Sequence, residues 1–209
     1  MRGEKRSAVV LKTILLVLLD RWADWEGAYL ASALGMLAPG KYAVKTVSLT
    51  GEPVSSIGGV QALPDFSVDG APEEYEALFL IGGLSWREES ARRVTPLVKD
   101  CLAKGRVLGG ICDAAGFLGT VGALNRVRHT ANDLGDLKRW AGDAYTGEER
   151  YLTRQAVRDQ NIVTANGTAA LEFAKEALLA LDAAPEPLIQ EWFAFHKLGY
   201  YNAPLSTMS

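Results

Sequence analysis

Cys112 lies in the run Gly109-Gly110-Ile111-Cys112-Asp113-Ala114-Ala115-Gly116, where an apolar stretch passes into small residues that open a helix. A cysteine at such a strand-to-helix turn has the logic of a nucleophile elbow, with sulfur in place of the more familiar hydroxyl. The positive end of the helix dipole favours thiolate there, and a thiolate can attack an electrophilic carbon or be oxidised. A small buried core cysteine is the bland alternative, and the local run by itself leaves it open. Cys101 reads differently. It shares the apolar stripe of a helix with Ala91, Val94, Leu97, Val98 and Leu102, which is a packing position.

Four further features could serve the thiol. Asp113 adjoins it; its carboxylate either starts the helix pointing outward or joins the site, and close by it would oppose thiol ionisation. Gly82-Gly83 ends the apolar run ALFLI, where glycines can aim a backbone amide inward. Together with the Asp113 amide this could form an oxyanion hole. Asp24-Trp25-Glu26 opens the first helix. Glu26 held against a thiolate in a dry pocket would stay protonated, donating a hydrogen bond or moving protons toward substrate. In Arg128-His129-Thr130-Ala131-Asn132, His129 is one of two histidines, the other being His196. His129 is the natural base for a cysteine, or else a structural residue.

These residues need elements to hold them. TILLVLL at 13–19 is continuously apolar, as a parallel strand covered on both faces requires. A helix is expected over 26–38, stopped by Pro39-Gly40, and an alternating strand over 42–49. Residues 54–69, with Gly58-Gly59 and Pro64-Asp65, predict a short hairpin or irregular excursion. Strands follow at 77–81 and 107–111, helices at 87–104 and 113–121. A helix plus surface loop fills 133–150, two strands lie within 151–165, and helices cover 168–181 and 185–198. Asn166-Gly167-Thr168 reads as a turn and helix N-cap. Such alternation predicts one α/β domain over 1–209, a doubly wound, mostly parallel sheet with helices on both faces. Residues 1–11 form an N-terminal tail and 185–209 a C-terminal helix and tail. In such sheets the site lies at the carboxyl ends of the strands, where Glu26, Gly82-Gly83 and Cys112 all fall. Pocket walls are expected from 21–26, 84–87 and 130–150.

Composition narrows the functions. The net charge is −3 and no Lys/Arg block stands out, which argues against nucleic-acid and membrane partners. Two cysteines without a Cys/His cluster suggest neither a disulfide framework nor a metal, and fit free thiols in the cytoplasm. The basic start and apolar run of Met1–Leu19 mimic a secretory leader. Lys12 splits that run, Asp20-Arg21 ends it and no small-residue cleavage site follows, so a buried first strand is expected. No nucleotide-binding glycine motif occurs.

The chain resembles the ThiJ/PfpI superfamily from about Lys12 to Leu181. The carriers are Trp25-Glu26, LFLIGG at 78–83, GGICDAAGFLG at 109–119, RHTAN at 128–132 and TANGTAALEFA at 164–174. The resemblance implies a flavodoxin-like fold related to class I glutamine amidotransferases, a homodimer and no cofactor. It implies Cys112 as nucleophile, Glu26 as the carboxyl group that touches it, and the amides of Gly83 and Asp113 as the oxyanion site. It also implies a cysteine-dependent hydrolase, hydratase or deglycase-like activity on a small carbonyl, amide or isocyanide-like substrate. A redox- or stress-responsive protein and a PfpI-type peptidase are the alternatives. Two departures matter. Asp113 stands where PfpI-type peptidases have histidine. About twenty residues past the cysteine, where many members have histidine, this chain has Asn132, with His129 three residues earlier. Asn132 is therefore expected at the substrate, and the general base is His129, Glu26 or neither.

Overall fold

The computed structural model describes residues 11–204. The expected N-terminal tail lies almost wholly outside the described residues. The main sheet has seven strands in the order β5-β2-β1-β6-β7-β9-β8. These are β1 (Lys12–Val17), β2 (Tyr42–Ser48), β5 (Phe66–Ser67), β6 (Ala77–Leu80), β7 (Val107–Ile111), β8 (Ala156–Asp159) and β9 (Ile162–Ala165). All neighbours pair in parallel except β8 with β9, which form an antiparallel hairpin at one edge.

The continuous apolar strands have a simple reason. Side chains alternate between faces along a strand, so one covered on both sides must be apolar at every position. Leu15, Val17, Leu78 and Leu80 enter one core; Ile14, Leu16, Ala77 and Phe79 enter the other. The first core is closed by α2 (Thr95–Ala103), α3 (Asp113–Thr120) and α4 (Leu134–Ala141). The second is closed by α1 (Asp24–Leu37), α5 (Ala170–Ala180) and α6 (Glu186–Leu198). Each fully buried leucine contributes about 1.5–3 kcal/mol of transfer free energy, so β1 and β6 anchor the sheet. Within the apolar run, β1 is a central strand and Ile14 to Leu19 are all buried. Among the described residues no helix is long and apolar enough to cross a membrane.

Three details depart from the sequence reading. The helix expected over 87–104 is split into a 3-10 stretch, Glu89–Val94, and α2. Pro96 sits in the first turn of α2, where its missing N–H costs nothing, whereas inside a longer helix it would break the ladder. The excursion over 54–69 holds a hairpin, β3 (Val54–Ser55) with β4 (Gln61–Ala62), before β5 joins the main sheet beside β2. The N-cap of α5 is Ala169, not a residue of the Asn-Gly-Thr turn. Asn166 Oδ1 instead accepts from Thr168 N (3.0 Å) and Oγ1 (2.7 Å), closing a local turn.

The glycines of β7 let its neighbours approach. A Cβ on Gly109 would lie 2.4 Å from Phe79 Cδ1, and one on Gly110 would lie 2.8 Å from Leu118 Cδ1. Phe79 packs edge-on against Phe173 at 5.9 Å between centroids, so this thin strand lets β6, α3 and α5 close around the base of the turn.

Candidate active site

The strand β7 ends at Ile111 and α3 begins at Asp113, leaving Cys112 as the whole turn. Its backbone adopts φ 61°, ψ −133°, a region that side chains other than glycine rarely occupy. Such a conformation costs on the order of 1–3 kcal/mol and persists because the surroundings fix it. Here the Cys112 N–H donates to Ala165 O at 3.0 Å, and its carbonyl accepts from Ala115 N at 3.1 Å. The turn is bolted to β9 on one side and to α3 on the other. Cys101 is fully buried on α2 as expected, with its thiol directed at Val107 O.

Glu26 comes from the first turn of α1 and is fully buried, 0% exposed. It meets the cysteine across two glycines. A Cβ on Gly82 would lie 2.2 Å from Glu26 Oε2 and 2.5 Å from Cys112 Cβ. A Cβ on Gly167 would lie 2.8 Å from Cys112 Sγ and 3.2 Å from Glu26 Oε1. Glycine at 82 and 167 is therefore the condition for carboxyl and thiol to share one small space. Neither Glu26 oxygen has a partner in good hydrogen-bond geometry among the described residues. Burial pushes the Glu26 carboxyl above the ordinary carboxylate range, against a smaller downward pull from the nearby thiol and the Gly82 amide. Burial also pushes Cys112 up, and an ionised Glu26 pushes it further; the Asn132 amide and the Asp113 N–H pull it down. The two groups titrate as a pair.

Gly83 follows with φ +148°; a Cβ there would strike Arg21 O at 2.4 Å. Neither the Gly83 nor the Asp113 N–H is spent on a main-chain hydrogen bond. Asn132 reaches the thiol, with Nδ2 3.4 Å from Cys112 Sγ and 3.3 Å from Asp113 Oδ1. The neighbouring Asp24 has a different task. It accepts from Ser56 Oγ and from Gly58 N (2.9 Å), which holds its carboxyl below the usual range and ties the β3–β4 hairpin to α1.

His129 is not brought to the thiol, which corrects the expectation of a cysteine–histidine pair. It is fully buried, its Nδ1 is 2.8 Å from Val127 O, and its Nε2 is 2.7 Å from Tyr145 Oη. Burial holds its pKa below the usual histidine value, so it is a neutral structural link. The side chain facing the sulfur from that segment is Asn132, three residues on. His196 sits on α6 with Nδ1 2.9 Å from Trp192 O, so it supplies no substitute.

Two site residues were not singled out from sequence. Gly167 was read as part of a turn, yet its N–H donates to Asn132 Oδ1 (2.8 Å) and its carbonyl accepts from Trp25 Nε1 (3.0 Å). Its place within TANGTA, the run carried by the resemblance, was the available signal. Arg87 falls at the start of the helix expected over 87–104 and at the end of the pocket wall expected over 84–87, with no role of its own assigned. Its Nε and Nη2 lie 2.8 and 3.2 Å from the two Asp113 oxygens, it also pairs with Asp136, and it stacks over Trp140 at 4.6 Å. Asp113 is thus neither a free helix-start charge nor a group on the sulfur; it is a clamped carboxylate beside it. The cleft at the thiol is small, about 10 Å³, lined among others by Arg87, Asp113, Asn132, Asp133 and Asp136.

A strained cysteine, a buried glutamate and two glycines set against them form a specific arrangement. Residues 12–180 match the model of the DJ-1/PfpI family. The chain belongs to the DJ-1/PfpI family. It is 37% identical over 193 residues to the Bacillus subtilis (strain 168) protein named "Uncharacterized protease YdeA", covering 92% of this chain and 94% of that one. Among solved structures it is similar to DJ-1 superfamily protein Atu0886 from Agrobacterium tumefaciens. That match has 38% identity and a TM-score of 0.79, covering 89% of this chain and all (100%) of the other. A thiJ/pfpI family protein from Bacillus anthracis matches at 31% identity and a TM-score of 0.83, covering 90% and 92%. Within the DJ-1/PfpI family frame the sheet is of the flavodoxin-like α/β type.

Proposed function

We propose that this protein is a cysteine-dependent enzyme acting on a small carbonyl, amide or isocyanide-like substrate, with Cys112 as nucleophile and Glu26 as its proton carrier. The observation that supports it best is a strained, partly accessible thiol set against a fully buried carboxyl group that has no other hydrogen-bond partner. Donors from Asn132 and the start of α3 face the sulfur, while the carboxylate has only the thiol and the Gly82 amide near it and neither of its oxygens has a well-formed hydrogen bond among the described residues. When the pair carries one negative charge, that asymmetry favours thiolate beside carboxylic acid.

For an amide substrate, the sulfur bonds to the carbonyl carbon as the π electrons move to oxygen. The Gly83 and Asp113 amides then hold the oxyanion. Glu26 gives its proton to the departing nitrogen as the C–N bond breaks. Water attacks the thioester, returns a proton to Glu26 and releases the acid and the thiolate. For an aldehyde, the same attack and proton transfer give a hemithioacetal. The reading takes no cofactor from the chain's own chemistry. It further places the protein in a reducing cytoplasm, as a single domain working as a homodimer; light scattering during gel filtration tests the dimer.

Turnover of a panel of dicarbonyls, activated amides and isocyanides by wild type and Cys112→Ala tests the proposal. Loss of all turnover in a folded Cys112→Ala variant is expected, and retained turnover overturns it. The peptidase reading is supported by the names of two relatives, both called uncharacterized proteases, but peptide cleavage here would depend on Glu26 alone for the leaving amine, because no imidazole reaches the thiol. A redox-responsive role is favoured by the partly accessible thiol set beside a buried carboxyl group. Selective addition of two oxygens at Cys112 under mild peroxide, with no turnover on the panel, would establish it instead.

A further inference from the structure

The cleft at the thiol is not the only space at this edge of the sheet. On the other side of Asn132 lies a cleft of about 290 Å³, lined by Thr130, Ala131, Asn132, Tyr151, Thr153, Arg154, Gln155 and Asn166. The two spaces share Ala131 and Asn132. A ligand whose reacting carbon sits on Cys112 can therefore extend past Asn132 into the larger cleft.

The charges on the two sides differ. The thiol cleft is walled by Asp113, Asp133 and Asp136 against Arg87 alone, and Arg87 is already paired with two of them. That side repels an anion. In the larger cleft the one charged side chain is Arg154, exposed, with no carboxylate partner among the described residues. Arg154 also borders a neighbouring hollow, where Arg128 is spent on Asp159 and Arg158 on Glu176. The backbone at Arg154 is nonetheless fixed, since its carbonyl accepts from Thr130 Oγ1 at 3.0 Å and its N–H donates to Leu152 O at 2.9 Å. An unspent guanidinium on an anchored segment, lining the same cleft as the thiol's amide partner Asn132, suits a carboxylate or phosphate oxygen.

We infer that Arg154 is a specificity-determining residue and that the substrate is a small electrophile carrying an anionic group, a carboxylate or phosphate, on the side away from the reacting carbon. This rests on Cys112 being the nucleophile, and the test separates the two claims.

The probes are chloroacetyl-β-alanine and its primary amide, which differ in one charge. In both, the Cys112 thiolate bonds to the methylene carbon while the C–Cl bond breaks and chloride leaves. The ratio of alkylation rates, acid over amide, is read by intact mass at low salt. Arg154→Gln is expected to lower this ratio about three- to fivefold, the size of one solvent-exposed ion pair. Arg154→Glu is expected to lower it further, and added salt to shrink the difference. The rate with the neutral amide should not move in either variant. Lys99→Gln, on a separate groove, is the control for general surface charge and should leave the ratio alone. A ratio unchanged by Arg154→Gln and Arg154→Glu, with Cys112 still reactive, overturns the role of Arg154 and spares the nucleophile. A Cys112 inert to both probes overturns the nucleophile itself. Free phosphate and acetate as competitors then distinguish the two anions: the one that suppresses acid alkylation at lower concentration is the better mimic, and suppression by neither counts against the inference.

Discussion

Asn132 ties the thiol to the opposite wall of the site: its Nδ2 lies 3.4 Å from Cys112 Sγ while its Oδ1 accepts the Gly167 N–H at 2.8 Å. The second bond fixes the amide orientation, because only the oxygen can accept, so the nitrogen must face the sulfur. A hydrogen bond to a charged acceptor is worth about 1.5–3 kcal/mol. Asn132→Ala should raise the pH at which Cys112 becomes reactive by about one unit, and Asn132→Asp should raise it further by placing a like charge there. Alkylation rates across pH check both.

Glu26 should leave a mark on stability. Burial raises its native pKa above the unfolded value. Between the ordinary carboxylate range and the native value, the folded protein holds a proton that the unfolded chain has lost, so stability falls as pH rises through that window. Glu26→Gln removes the titration. Chemical denaturation from pH 4 to 7 should show a downward slope in wild type and a flatter line in the variant, over roughly the interval that begins near the unfolded carboxylate pKa of about 4.3.

The two glycines should tolerate nothing larger. Gly82→Ala would press a methyl group to 2.2 Å from Glu26 Oε2, 2.5 Å from Cys112 Cβ and 2.8 Å from the main-chain oxygen of Ile111. Overpacking of this kind costs about 1–3 kcal/mol. Gly167→Ala meets the sulfur at 2.8 Å and should slow alkylation by displacing the thiol, with a smaller loss of thermal stability. A Gly82→Ala variant as stable and reactive as wild type would contradict the packing described for the pair.

Arg87 keeps the Asp113 carboxylate compensated beside the thiol. Arg87→Met preserves much of the stacking on Trp140 but frees that charge. The reactive pH of Cys112 should move up, while stability changes by no more than about 1 kcal/mol, because the ion pair is half exposed. Double substitution Arg87→Met with Asp113→Asn should bring the thiol back toward its wild-type profile.

Much of the scaffold was legible because it follows from periodicity. Short continuous apolar runs at β1, β6 and β7, each followed by turn or helix-start residues, fit strands covered on both faces, and the residues that follow them mark the sheet edge where Glu26, Gly82 and Cys112 meet. What remained hidden depends on strand order and on side-chain direction. Gly167 enters the site because β9 lies beside β7, a neighbour relation that no local pattern encodes. Arg87, on the turn after Gly83, reaches Asp113 on α3 and Asp136 on α4. His129 and Asn132 share one short run, and its spacing does not tell which of them turns toward the sulfur; the Val127 carbonyl and Tyr145 hydroxyl decide that for His129. Pro96 was visible, and its rule for helix starts places the break in the 87–104 segment.

The pH dependence of Cys112 alkylation by iodoacetamide, with Cys101 buried and serving as the internal unreactive thiol, tests the central claim most directly. If the shared proton rests on Glu26, reactivity should rise with a midpoint clearly below the free-thiol value of about 8.5 and hold a plateau through neutrality. A single rise at or above that value would show that the proton stays on the sulfur, and would contradict Cys112 as a working nucleophile.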